Sequence, residues 1–235
     1  MTASVLRSEG LSRRYEGGGV AVLALSDATF TVKPGEFIVV LGPSGSGKST
    51  LLNLLGGMDK PTGGRLYYGE QELTKLSTDK LAAYRRDVVG FIFQFFNLIP
   101  SLTARENIEL AASIVREHFS VAEALELVDL SDRASHFPSQ LSGGEQQRIS
   151  IARAIVKKPG LLLADEPTGA LDSVNSIAIV KLLLDMRERL GCPVIAITHN
   201  AGMAAVADRV FHMKDGRIDR VVENAAPLPV EEMTW

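Results

Sequence analysis

The chain is poor in cysteine, in aromatic residues and in any excess of charge, and each shortage excludes something. A single cysteine, Cys192, rules out an intramolecular disulfide and the small disulfide-stapled folds of oxidising compartments. It precedes the apolar run Val194-Ile195-Ala196-Ile197, which predicts a small buried hydrophobe rather than a reactive thiol. Against 28 acidic residues stand 25 Lys and Arg, scattered as Arg13-Arg14, Arg85-Arg86 and Lys157-Lys158. No basic footprint for nucleic acid results, so neither a nucleic-acid partner nor a disulfide partner is expected. Apolar runs stop at about six residues, whereas a membrane span needs about 20. Met1-Thr2-Ala3-Ser4 leads into no apolar stretch of a signal peptide, and a cytoplasmic location is expected. What is present, 46% hydrophobic residues over 235 positions, suffices for one good core or a core with a small subdomain.

The most informative stretch is Gly42-Pro43-Ser44-Gly45-Ser46-Gly47-Lys48-Ser49-Thr50, which follows the apolar run Phe37–Leu41 and opens the helical pattern Leu51-Leu52-Asn53-Leu54-Leu55. A buried strand, a glycine-rich turn and a helix beginning at a lysine and hydroxyls make a phosphate site. Backbone N–H groups of such a loop form a concavity for anionic oxygens, and the helix adds its positive end. Gly42, Gly45 and Gly47 allow the chain to wrap closely. Lys48 can reach the β- and γ-phosphates, and Ser49 can offer its hydroxyl to Mg²⁺. This predicts nucleoside triphosphate binding.

Two further elements carry chemistry. Leu161-Leu162-Leu163-Ala164-Asp165-Glu166 is an apolar strand delivering two carboxylates at its C-terminal end, where ligands gather in parallel sheets. Asp165 is expected to hold Mg²⁺, and Glu166 to orient and deprotonate the attacking water. In Leu141-Ser142-Gly143-Gly144-Glu145-Gln146, Ser142 and Glu145 have the spacing of a capping box. Two glycines in the first turn cost about 1 kcal/mol each against alanine. They would let a phosphate approach a second helix N-terminus.

The coarse organisation is α/β. Alternation over Leu6–Tyr15 and Val22–Val32, around Gly17-Gly18-Gly19, predicts antiparallel strands. Helical spacing dominates residues 77–135, and strand and helix alternate from 141 onward, with strands at Leu161–Asp165 and Val194–Thr198. Helices are expected over about 143–158 and Ser173–Leu190, and a hairpin at Asp215-Gly216. A single domain over 1–235 is expected. Its core, with a β subdomain, takes in about 1–76, 88–94 and 159–220, and a helical insertion covers about 77–87 and 95–158. The segment 221–235 is expected as a tail, loose over Pro227–Trp235.

Leu141–Gln146, lying between the phosphate loop and the Asp165-Glu166 strand, resembles the signature of ATP-binding-cassette ATPases, and the resemblance covers about residues 4–220. It implies a P-loop NTPase core with a mixed, largely parallel sheet, an N-terminal antiparallel β subdomain and a helical insertion carrying the signature. It also implies roles: Tyr15 as the aromatic stacking on adenine, Gln94 as a contact to Mg²⁺ and water, and His199 as the switch histidine. Asp172 would lie in the loop crossing a dimer interface. In such a homodimer two ATP molecules are sandwiched, with Ser142, Gly143 and Gly144 of one copy capping the γ-phosphate on Lys48 of the other. His118, His136 and His212 take a structural reading. The wording Phe93–Pro100 with Leu102–Asn107 and Asp165–Gly169 is similar to the MacB/LolD group, which pairs with FtsX-like permeases. Ala170 stands where that group most often has Asn. The likeness implies a subunit peripheral on the inner face of the cell membrane, with Phe95–Pro100 receiving a permease helix. It also leaves open a mechanical role in cell-wall remodelling.

Overall fold

The computed structural model describes residues 4–17 and 20–233. Gly18 and Gly19 of the expected turn lie outside them. The strands are β1 (Leu6–Gly17), β2 (Val20–Val32), β3 (Phe37–Leu41), β4 (Gly63–Tyr68), β5 (Gln71–Glu72), β6 (Val89–Ile92), β7 (Leu161–Asp165), β8 (Val194–Thr198), β9 (Arg209–Lys214) and β10 (Arg217–Glu223). The helices are α1 (Lys48–Leu55), α2 (Thr78–Asp87), α3 (Ala104–Ala112), α4 (Val121–Glu126), α5 (Gly143–Ile155) and α6 (Ser173–Leu190). None is long and apolar enough to cross a membrane.

Two sheets form. Strands β2-β1-β4-β5 make an antiparallel sheet, and β10-β9-β3-β8-β7-β6 a mixed one in which only β10 runs antiparallel to its neighbour. The central strands are apolar throughout because both faces of that sheet are covered. Ile38, Val40, Leu161, Leu163, Ile195 and Ile197 face α1 and the small sheet. Phe37, Val39, Leu162, Ala164, Val194 and Ala196 face the core built by α3, α5 and α6. Burial there also pushes the Cys192 thiol up to about 11, as suits an inert hydrophobe. Expected within the helical insertion, α2 instead buries Leu81 and Tyr84 in the α1-side core, where the Tyr84 hydroxyl donates to Leu55 O at 2.9 Å.

A buried ion pair joins the two sheets at the ends remote from the phosphate loop. Arg209, opening β9, donates to Glu36 Oε2 at 2.7 Å and to Thr31 O at 2.6 Å. Glu36 also accepts from Lys33 N at 2.8 Å.

Two further expectations need correction. α5 ends at Ile155 rather than 158, because Pro159 keeps its predecessor out of the right-handed helical region, and Lys158 takes φ 51. The tail is not loose over the described residues: β10 continues to Glu223, Leu228 N donates to Ala205 O at 2.9 Å, and Val230 and Met233 are buried. Two buried apolar residues and hydrogen bonds from Asn224 and Leu228 dock it, despite its prolines.

Candidate functional site

Five helices start with a side chain capping their free N–H groups: Ser77 on α2, Thr103 on α3, Ser120 on α4, Ser142 on α5 and Asp172 on α6. α1 does not. Its N-cap is Gly47, which has no side chain to offer, and its first turn holds no acidic residue. Those amides are left for a ligand, and their partial positive charge selects an anion.

The glycines earlier in the loop are explained mainly by the protein itself. A Cβ on Gly42 would lie 2.5 Å from Met213 O, and one on Gly47 2.3 Å from Ala24 O. Gly47 and Gly45 also have φ of 97° and 78°. The loop is thus wedged between β2 and β9, and Ser46 O accepts from Gly216 N at 3.1 Å to hold it there. Lys48, nearly buried, lies across the loop and donates from Nζ to Gly42 O at 2.7 Å and Pro43 O at 3.0 Å.

A cleft of about 810 Å³ opens over this helix end, lined by Ser44, Gly45, Gly47, Lys48, Ser49, Thr50, Gln94, Asp165, Glu166 and His199 together with Ala24 and Ile197. Residues from 44 to 199 converge there because β3, β6, β7 and β8 are parallel and end at one edge of the sheet. Gly42, Pro43 and Ser46 shape the loop without lining the cleft. Burial raises the Asp165 carboxyl above its ordinary value, the Glu166 carboxylate adds to the rise, and Lys48 opposes it.

Glu166 is held unusually. It adopts φ 47, its N–H donates to Ile197 O at 2.9 Å, and Thr198 Oγ1 donates to its Oε2 at 3.0 Å. His199 Nδ1 lies 3.0 Å from Oε1. Thr198 escaped the reading of the sequence: a hydroxyl at the end of an apolar strand carries no signal until its partner 32 residues away is known.

A family model described as "ABC transporter" matches residues 25–169. The chain belongs to this family. It is 44% identical over 221 residues to the lipoprotein-releasing system ATP-binding protein LolD of Idiomarina loihiensis, covering 92% of this chain and 97% of that protein. It is 42% identical to the macrolide export ATP-binding/permease protein MacB of Marinobacter nauticus, of which it spans only 35%. The dimeric post-hydrolysis structure of the ATP-binding cassette MJ0796, bound to ADP and Pi, superposes with a TM-score of 0.85 at 40% identity, over 93% of this chain and 98% of that one. The expected P-loop α/β fold and ABC-type ATPase class therefore stand.

The remaining expected site residues of this ABC cassette lie away from its own cleft. Tyr15, on β1, donates its hydroxyl to Asp59 Oδ2 at 2.8 Å, and the Arg13 guanidinium sits 4.5 Å from its ring centre. Ser142 caps α5 through a complete box: Ser142 N donates to Glu145 Oε2 at 2.7 Å and Glu145 N to Ser142 Oγ at 3.3 Å. The Ser142 backbone bond, with help from its hydroxyl and from Arg133, lowers the Glu145 carboxyl to about 2. A close neighbour within the chain accounts for Gly144, since a Cβ there would meet Asn175 Oδ1 at 2.3 Å. A Cβ on Gly143 would lie 3.3 Å from the Leu171 side chain. Asp172 caps α6 by accepting from Asn175 N at 2.9 Å.

Proposed function

We propose that the chain is the ATP-hydrolysing subunit of a transporter, working as a homodimer that closes around two ATP molecules and drives a separate FtsX-like membrane permease. The observation that carries this is the uncapped N-terminus of α1, set in one cleft with Lys48, Asp165, Glu166, Gln94 and His199, while Ser142–Gly144 lie outside that cleft. Two half-sites on one chain need a second copy to complete each other.

In this reading the α1 amides and Lys48 hold the β- and γ-phosphates, with Ser44 to Thr50 around them, and the partly exposed ring of Tyr15 stacks on adenine. Ser49, Gln94 and Asp165 fit Mg²⁺: a hydroxyl, an amide and a carboxylate are hard oxygen donors on one cleft. The raised Asp165 carboxyl fits too, since it lacks a full counter-charge. Among the described residues no three His, Cys, Asp or Glu group as metal ligands, and Mg²⁺ needs no such cage. Mg²⁺ held by these groups would supply positive charge to the phosphates during hydrolysis. Glu166 takes the proton of the attacking water, and His199 holds that carboxylate and faces the γ-phosphate. From the second copy, Ser142, Gly143 and Gly144 close the site, and Asp172 lies at the interface. Loss of the γ-phosphate removes the ligand shared by the two copies and lets them part.

With Mg²⁺ and a slowly hydrolysed ATP analogue, the scattering mass of the protein should double from 25.3 kDa, and Ser142→Arg should abolish the doubling while leaving analogue binding intact. An analogue-saturated protein that stays monomeric would refute the closed dimer.

Phe95–Pro100 is the proposed permease contact. Phe95 is 73% exposed, and Phe96 and Asn97 both have left-handed φ, of 62° and 50°. Arg153 of α5 grips the carbonyls of both, that of Phe96 at 2.8 Å. Leu98 instead packs against the core, so a charge there would probe folding and not docking. Phe95 directly follows Gln94, so pressure on the exposed ring reaches the cleft within one residue. Phe95→Glu should leave ATP affinity unchanged and cut permease capture from solubilised membranes by about ten-fold or more. Undiminished capture would place the contact elsewhere.

A further inference from the structure

Gln147, in the second turn of α5, has no exposed surface. Its amide nitrogen donates to Pro167 O at 2.8 Å. Its amide oxygen is buried without a hydrogen-bond partner among the described residues. A side chain that only filled this space would serve better as Met or Leu, which bring no polar group to desolvate. What the amide adds is one donor, aimed at the residue directly after Glu166.

That bond bears on a backbone with few alternatives. Pro167 has a fixed φ. Glu166 before it holds a left-handed conformation that persists only where its surroundings over-determine it. Its N–H donates to Ile197 O, its carbonyl accepts from Gly169 N at 3.0 Å, Thr198 and His199 hold its carboxylate, and the Gln147 bond fixes the residue that follows. Farther along, the first turn of α5 lies close to the chain that follows Glu166: a Cβ on Gly143 would lie 3.3 Å from Leu171 and one on Gly144 2.3 Å from Asn175. The segment carrying Glu166 is therefore hydrogen-bonded to α5 through Gln147, and the chain after it passes close to the first turn of that helix.

We propose that Gln147 is a positioning residue that transmits the placement of Ser142–Gly144 to Glu166 of the same chain, and so couples the two ATP sites of a dimer. This rests on the closed-dimer reading. There, Ser142–Gly144 of one copy meet the nucleotide held by its partner, whereas Glu166 of that copy acts on its own nucleotide. Gln147 then makes hydrolysis in one site depend on occupancy of the other, through a hydrogen bond and one helical turn.

The test is Gln147→Met, which keeps length and bulk and removes the donor, with Gln147→Leu as a second variant that also lacks a donor. The analogue-dependent doubling of mass should persist in both. For ATP hydrolysis, kcat should fall by about ten- to a hundred-fold with little change in KM, and the Hill coefficient should drop from near two toward one. If the variants dimerise and hydrolyse with the parental kcat and Hill coefficient, the positioning role is refuted while the dimer stands. A lower kcat with an unchanged Hill coefficient refutes the coupling. Loss of the folded state in both variants makes Gln147 a core residue and rejects the proposal. If the parent itself does not dimerise with the analogue, the closed-dimer reading fails and takes this inference with it.

Discussion

Glu166→Gln should lower kcat for ATP hydrolysis by about 10²- to 10⁴-fold, the range contributed by a positioned general base. The substitution keeps the oxygen that accepts from Thr198 Oγ1, so the side chain stays in place and only its ability to take a proton is lost. Binding should be untouched, because the loop amides and Lys48 are unaltered. The variant should thus accumulate as an ATP-bound dimer that the parent forms only transiently, read as a doubled mass with ATP itself. Phosphate release measures the rate. A variant releasing phosphate as fast as the parent would remove Glu166 from the chemistry and return the question to His199.

Glu36→Ala should destabilise the fold by about 3–5 kcal/mol, the usual cost of leaving one member of a buried pair alone. Arg209 would keep only Thr31 O among the acceptors described for it, and the Lys33 amide would lose its partner as well. For a chain of this length each kcal/mol lowers Tm by about 2–4 °C, so a fall of around ten degrees is expected. Replacing both partners, Glu36→Leu with Arg209→Met, should recover most of the loss because no charge is then stranded. Urea denaturation of the single and double variants measures both effects. A single variant within 1 kcal/mol of the parent would show that the pair contributes nothing beyond its packing. The pair lies at the opposite ends of the strands from the cleft, so ATP affinity should not change.

Local signals read well where a few consecutive residues fix the outcome. α6 begins at an Asp cap and ends before Gly191 in the left-handed conformation, and β3, β7 and β8 are continuous apolar runs; these limits matched the expected ones. α5 overran its real end because the helical stripe continues to Val156, and the restriction set by Pro159 weighed less in the pattern than it does in the chain. The tail was misjudged because composition describes residues one by one. Val230 and Met233 dock only because a surface shaped by α6 and residues 201–206 lies beside them.

The candidate site divides in the same way. Nine consecutive residues after a buried strand suffice to specify a phosphate loop, and the order of phosphate loop, signature and acidic strand end suffices for the family, because each element is local. Only the tertiary structure decided that Gly42 and Gly47 abut Met213 and Ala24, that Thr198 and His199 grip Glu166, and that Gln147 reaches Pro167. Side-chain periodicity says whether a residue points inward. It cannot say which distant residue will meet it there, since that depends on how parallel strands align and how α5 and α6 pack over them.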